Sequence, residues 1–90
     1  MPIVRFPKHL LRHVKAPAVV QAQGATVADA LRDVERHYPG VRDYLVDERG
    51  SLRKHVNIFI GEALVRDRAA LSDPVTDDAE IFVFQALSGG

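Results

Sequence analysis

The chain closes on Ser88-Gly89-Gly90, directly after the apolar run "EIFVFQAL". Glycine has no side chain to pack and loses the most backbone entropy on ordering, so a glycine pair adds nothing to a core. It suits a terminal carboxylate that must enter a narrow channel of another protein, be attacked there, and then present its carbonyl carbon to a second nucleophile. Idle glycines at a frayed terminus would look the same in isolation. Attachment to an apolar strand favours the first reading, because a rigid domain would then aim the tail. The reacting carboxylate is therefore placed on Gly90, with Gly89 and Ser88 as its slim approach.

Other polar residues offer weaker chemistry. His9 and His13 are four apart, the spacing of paired metal ligands on a helix, but no third ligand accompanies them. They read as solvated histidines of the basic segment "KHLLRHVK". His37 suits the negative end of a helix and His55 the start of a strand. The stretch "SDPVTDD" carries Asp73, Asp77 and Asp78 but lacks the ligand spacing and closing glutamate of a calcium loop, and reads as a solvated turn. Ser51, Ser72 and Ser88 have no neighbouring base pattern, and there is no glycine-rich phosphate loop. No catalytic residue of its own, no metal site and no bound cofactor are expected.

Composition narrows the setting. Ninety residues with 47% hydrophobic content allow one compact core. Lys and Arg total 12, as do Asp and Glu, so there is no basic excess of the kind that binds nucleic acid. Cysteine is absent, which removes disulfides, thiolate metal sites and thiol nucleophiles together. No apolar stretch approaches the ~20 residues that cross a bilayer, and "MPIVRFPKHL" has no signal-peptide core. The expectation is a cytoplasmic protein with neither nucleic-acid nor membrane partners.

The elements that would aim the tail follow from periodicity. "PIVRFP", Pro2 to Pro7, alternates as a half-buried strand between prolines, and "AVVQAQG", Ala18 to Gly24, is a second short strand. The segment between them is a turn of helix or an extended connector. Thr26 with Asp29 can form a capping box, after which Val27, Ala30, Leu31, Val34 and Tyr38 share one helical face and Pro39-Gly40 stops the helix. Asp29, Arg32, Asp33, Glu35 and Arg36 make its charged face. "VRDYLVDERGS" reads as a short helical or irregular turn. "HVNIFIG" is a strand turning at Gly61 into "EALVR", and "EIFVFQAL" is the last strand.

One main helix can cover one face of one sheet, so the expectation is a two-layer α+β domain. The last strand is apolar on both faces, which suits a central position beside the first strand and parallel to it. This is a β-grasp arrangement, drawn as residues 1–87 with an extended tail at 88–90. Phe6 alternates with Val4 toward the helix. The aliphatic residues Val56, Ile58, Ile60, Ile81 and Val83 match the helix face in kind, which puts Phe59, Phe82 and Phe84 on the open face as a partner-binding surface. The alternative is that "SLRKH" or "KHLLRHVK" folds over these rings.

The stretch "TVADALRDVERHYPGVRDYLVDERGSLRKHVNIFIGEALV" and the closing "DDAEIFVFQALSGG" resemble the MoaD/ThiS-type sulfur carriers, which are ubiquitin-like β-grasp proteins. The match runs over nearly the whole chain, through the helix, its Tyr-Pro-Gly stop, the Val-Asn strand and the Gly-Gly end. The resemblance implies a carrier, not an enzyme. Its terminal carboxylate would be adenylated by a ubiquitin-activating-type adenylyltransferase using ATP and magnesium. A sulfur donor such as a rhodanese or a cysteine desulfurase would convert it to a thiocarboxylate, which would serve a sulfur-accepting biosynthetic enzyme. Carried over by position, Gly90 would bear the sulfur and Phe84 would lie on the docking face.

In molybdopterin synthase small subunits a proline pair typically follows the last aromatic, whereas here Phe84 is followed by Gln85-Ala86-Leu87-Ser88. The molybdopterin subunit thus stands as an alternative beside carriers for cysteine, thiamine or other products. A ubiquitin-like modifier joined to lysines and a plain β-grasp interaction module remain open as well.

Overall fold

Strand β5 (Glu80–Gln85) occupies the centre of a five-stranded sheet. The computed structural model describes residues 1–86, so the expected tail at 88–90 lies outside the described residues. β5 runs parallel to β1 (Ile3–Arg5) on one side and antiparallel to β3 (Val56–Ile60) on the other. The edges are β2 (Val19–Gln21) and the two-residue β4 (Ala63–Leu64), giving the order β2-β1-β5-β3-β4. The parallel contact between first and last strands is as expected from the two-sided apolar run. β1 and β2 are shorter than the alternation suggested, because the prolines at positions 2 and 7 have no N–H to extend a ladder.

The helical layer comprises α1 (Lys8–Leu11), α2 (Val27–His37) and α3 (Val41–Leu45). The basic connector thus forms a turn of helix, and it sends Leu10 and Val14 into the core instead of over the phenylalanines. On α2, Val27, Ala30, Leu31 and Val34 are all buried, each stabilising the fold by roughly 1–3 kcal/mol according to size. They meet Val4, Phe6, Val56, Ile58, Ile81 and Val83 from the sheet. Among the described residues no helix is long and apolar enough to cross a membrane.

The first turn of α2 leaves no orphan donor. Thr26 Oγ1 accepts from Asp29 N at 3.1 Å and Thr26 O from Ala30 N at 3.0 Å. Val27 N and Ala28 N donate to the carbonyls of Asp73 and Leu71 at 3.0 and 2.9 Å. The capping box is half made, since the Asp29 carboxylate turns outward to Arg32. The "SDPVTDD" loop is therefore more than a solvated turn, because its Asp73 carbonyl, with that of Leu71 just before it, completes the helix N-terminus. It is braced by Asp73, which accepts from Arg66 N and Asp67 N, and by Asp67, which accepts from Ala69 N, Ala70 N and both Ser72 donors. Those bonds, the Ser72 hydroxyl first, hold the Asp67 carboxyl below the usual aspartate range. The Asp78 carboxyl is lowered in the same way, chiefly by the Thr76 hydroxyl.

Two acidic residues of the α2 charged face also face inward. Asp33 is 8% exposed. Its carboxylate accepts from Gln23 N at 2.8 Å and from Arg36 at 2.9 Å, and the Gln23 bond leads the causes that lower its pKa. Glu35 accepts from Gly40 N and Arg42 N, capping α3 from the side. Gly40 sits at φ 104°, a left-handed conformation that glycine reaches without strain, and this is what turns α2 into α3.

Candidate functional site

Period-two alternation puts every second residue of β5 on the face away from the helices. Ile81 and Val83 are buried, Phe82 is half-buried, and Phe84 is 50% exposed. The sheet register sets their neighbours: Phe59 lies opposite Phe82 and also opposite Leu64, while Arg5 lies opposite Phe82 and opposite Val19. One row of side chains, Val19-Arg5-Phe82-Phe59-Leu64, thus crosses all five strands on the open face. Phe84 stands one step further along β5, opposite Asn57.

The three phenylalanines that alternation assigned to this face do come together. Phe59 meets Phe84 edge-on with ring centroids 5.5 Å apart, and Phe82 stacks along Phe84 at 6.4 Å. Both are favoured aromatic geometries, worth about 0.5–1.5 kcal/mol each beyond area burial. Together with Gly61 and Glu62 the rings line an open apolar hollow. Charged groups frame it. The Arg5 guanidinium lies 5.9 Å from the Phe82 ring centre and is held by Glu80 at 3.0 Å. On the other side Arg68 donates to Asn57 Oδ1 and to the carbonyl of Arg53.

Two apolar members of the row were not singled out from the sequence. Leu64 is 52% exposed and Val19 47% exposed, each beside the phenylalanine–arginine row. Their strands are two and three residues long, too short for alternation to declare a face. The available signal was the hairpin: a two-residue turn at Gly61-Glu62, with Gly61 at φ 61°, pairs Ile60 with Ala63 and hence Phe59 with Leu64.

The far end of β5 carries a different set. Tyr44 of α3 donates to Gln85 Oε1 at 3.1 Å. His13 stacks on Tyr44 at 5.5 Å, and His9 meets His13 edge-on at 5.2 Å. These histidines are therefore exposed but ordered against an aromatic neighbour. Among the described residues there is no group of three side chains able to hold a metal ion. His37 Nδ1–H donates to the carbonyl of Asp33 at 2.9 Å, satisfying the last turn of α2. The carbonyl of His55 accepts from Ala86 N at 2.8 Å, so pairing continues to the last described residue. Ser88, Gly89 and Gly90 lie beyond it. Three residues lie between Ala86 and Gly90, so four Cα steps bound the distance at about 14 Å.

Comparison with known proteins decides the family. The model of the ThiS family matches residues 4–90, from the first strand to the final glycine. The chain belongs to the ThiS family. The sulfur carrier protein CysO of Mycobacterium tuberculosis (strain H37Rv) is 29% identical over 89 residues, covering 97% of this chain and 96% of that protein. Among solved structures, a chain of the Amycolatopsis orientalis BexX/CysO complex superposes with TM-score 0.87 at 30% identity, covering both chains completely. SAMP1 from Haloferax volcanii shares the fold, with TM-score 0.79 and 24% identity over 99% of this chain and 98% of that one. The fold is thus the ubiquitin-like β-grasp expected from the sequence, and ThiS-type proteins of this kind are small carriers, not catalysts.

Proposed function

We propose that this ThiS-family protein carries sulfur as a thiocarboxylate on Gly90. One observation leads: the strand bearing the exposed Phe84 is the strand that continues into the Gly-Gly end. A docking surface and a reacting carboxylate then lie six positions apart in one chain, so seating the aromatic hollow on a partner limits where the tail can reach. Phe59, Phe82 and Phe84 are the contact residues of this reading.

In the first step a carboxylate oxygen of Gly90 attacks the α-phosphorus of ATP on a ubiquitin-activating-type adenylyltransferase, and magnesium pyrophosphate leaves. The acyl-adenylate makes the carbonyl carbon electrophilic, which the free carboxylate is not. The outer sulfur of a persulfide carried by a rhodanese or a cysteine desulfurase then attacks that carbon and expels AMP, and a thiol attacks the donor-side sulfur of the resulting acyl disulfide, forming a disulfide with it and releasing the thiocarboxylate. The thiocarboxylate sulfur is nucleophilic and can be passed to an acceptor enzyme in amino-acid or cofactor biosynthesis. ATP and magnesium are used by the partner and not held by the carrier. This ATP-dependent work belongs in the cytoplasm. The likeness to CysO over 97% of the chain, and the Gln85-Ala86-Leu87-Ser88 run where a proline pair would stand, support a dissociating carrier over a molybdopterin synthase subunit.

The test is intact-mass analysis after incubation with the adenylyltransferase, ATP, magnesium and a sulfur donor. A mass gain reflecting one oxygen replaced by sulfur is expected, and deletion of Gly90 or addition of one residue after it abolishes the gain. A truncated chain that still accepts sulfur overturns the reading. Capture of Gly90 on a lysine amine with no thiocarboxylate transfers the chain to the modifier class.

A further inference from the structure

The charges of this neutral chain are sorted along β5. At its C-terminal end two segments converge. The Tyr44–Gln85 hydrogen bond and the His13–Tyr44 stack place residues 8–15 there, and the pairing of Val56 with Gln85 places residues 53–55 there. These segments carry Lys8, Arg12, Lys15, Arg53 and Lys54, with His9, His13 and His55, and no carboxylate. All eight side chains are exposed, and none forms an ion pair among the described residues. The neighbouring α3 brings one exposed carboxylate, Asp43, whose main-chain carbonyl accepts from Arg53 Nε.

The opposite end of β5 gathers carboxylates, with the Met1 ammonium near Asp78 and Arg5 on Glu80 as its cations. Gly61 N donates to the carbonyl of Glu80, which sets the Gly61-Glu62 turn at the start of the strand, next to Asp77 and Asp78. Glu62 and Asp77 are exposed and unpaired among the described residues. Six strand residues hold the two ends about 20 Å apart. That exceeds the ~8 Å screening length of physiological salt, so a partner touching one end feels that end alone. At low salt the separated charges orient the whole molecule as it approaches.

We propose that the five fixed cations form a collar around the C-terminal end of β5 and recognise an acidic rim at the mouth of the adenylyltransferase channel that receives Gly90. The inference rests on the carrier reading above. The collar adjoins the aromatic hollow on the β3 side: Phe84 lies opposite Asn57, and Arg68 bonds both Asn57 Oδ1 and the carbonyl of Arg53, so one partner surface contacts both. A protein rim suits it better than a nucleic acid: a polyanion long enough to follow the surface would also meet Asp43 and the acidic end, whereas a local ring of carboxylates meets the collar only. The consequence is orientation, with the chain approaching tail first.

The test is ATP–pyrophosphate exchange by an adenylyltransferase that charges the wild-type chain, followed against carrier concentration at about 0.02 M and about 0.3 M salt. The triple reversal Lys8→Glu/Arg12→Glu/Lys54→Glu is compared with Asp77→Lys, each shown to be folded by circular dichroism. The expected result is a fall of about ten- to a hundredfold in kcat/KM at low salt for the triple variant, with kcat kept at saturation and the gap closing at high salt. Asp77→Lys should be neutral or faster. A triple variant within twofold of wild type at low salt overturns the collar, as does a loss equal at both salts or an equal loss in Asp77→Lys. Wild-type binding of a labelled DNA duplex that the triple reversal abolishes overturns the protein rim. If no adenylyltransferase charges the wild type, the carrier reading fails and the collar with it. Wild-type charging with salt-independent kinetics removes the collar alone.

Discussion

Tyr44 donates its phenol proton to Gln85 Oε1 at 3.1 Å, so the helical layer is latched to the C-terminal end of β5. Both side chains are half-buried. Removing the hydroxyl in Tyr44→Phe should cost about 0.5–1.5 kcal/mol, read as a lower urea midpoint with an unchanged slope. Faster hydrogen exchange should be confined to the end of β5, including the Ala86 amide bonded to His55. Uniform loss of protection across α2 would show that the latch stabilises the whole domain and not the end of β5 alone.

The open face predicts a contrast between neighbours on one strand. Phe84 is half exposed whereas Ile81 is fully buried. Phe84→Asp should therefore leave the fold intact, with stability lowered by about 1–3 kcal/mol for its two lost ring contacts, while weakening adenylyltransferase binding tenfold or more because a charge enters a contact that must desolvate. Ile81→Asp should unfold the domain, since an unpaired carboxylate would sit against α2. Near-ultraviolet circular dichroism and binding titrations separate the two outcomes. A Phe84→Asp variant that bound normally would remove the aromatic hollow from the interface.

Period-two and period-3.6 alternation made the central elements legible. Val27, Ala30, Leu31 and Val34 declared their common face, and Ile81/Val83 against Phe82/Phe84 declared the two sides of β5. What stayed hidden lacked either length or periodicity. Leu64 and Val19 sit on strands too short to alternate visibly. Asp33 and Glu35 look like members of a solvated face until Gln23 N, Gly40 N and Arg42 N arrive as donors from loops that helical spacing does not describe. The same holds for Asp73 and Asp67, whose acceptor roles depend on how a turn folds back on itself. The basic segment was visible as composition. Its convergence with Arg53 and Lys54 at the end of β5 required the sheet register.

Gly24 is fixed by a close approach. A Cβ there would stand 2.6 Å from Ala30 N and 2.8 Å from Asp29 Cβ, so the first turn of α2 would have to move. Gly24→Ala should destabilise the fold by about 1–3 kcal/mol, the usual range for overpacking. That corresponds to a fall in Tm of roughly 4–8 °C per kcal/mol. A variant as stable as wild type would show that β2 and α2 separate readily. The partner chemistry should survive below the new Tm, because Gly24 lies at the opposite end of the sheet from Ala86.

The Asp67 hub gives the domain an acid limit. Its carboxylate accepts from the Ser72 hydroxyl and from the N–H groups of Ala69, Ala70 and Ser72, which favours the ionised form and lowers its pKa in the folded state from the ordinary 3.8. Asp33, held by Gln23 N, and Asp78, held by Thr76, shift the same way. A carboxyl whose pKa is lower folded than unfolded binds fewer protons when folded, so stability rises with pH through this range. Its contribution is fully present above about pH 5, begins to fade as pH drops through 3.8, and is lost as pH falls through the lowered folded value. Urea midpoints should thus be flat from neutral pH to about 5 and decline below it. Asp67→Asn should lower the plateau, because an amide cannot accept all these bonds, and should flatten the decline by removing one proton uptake. Equal acid slopes for wild type and variant would mean that Asp67 titrates alike in both states and that the loop is held by its backbone alone.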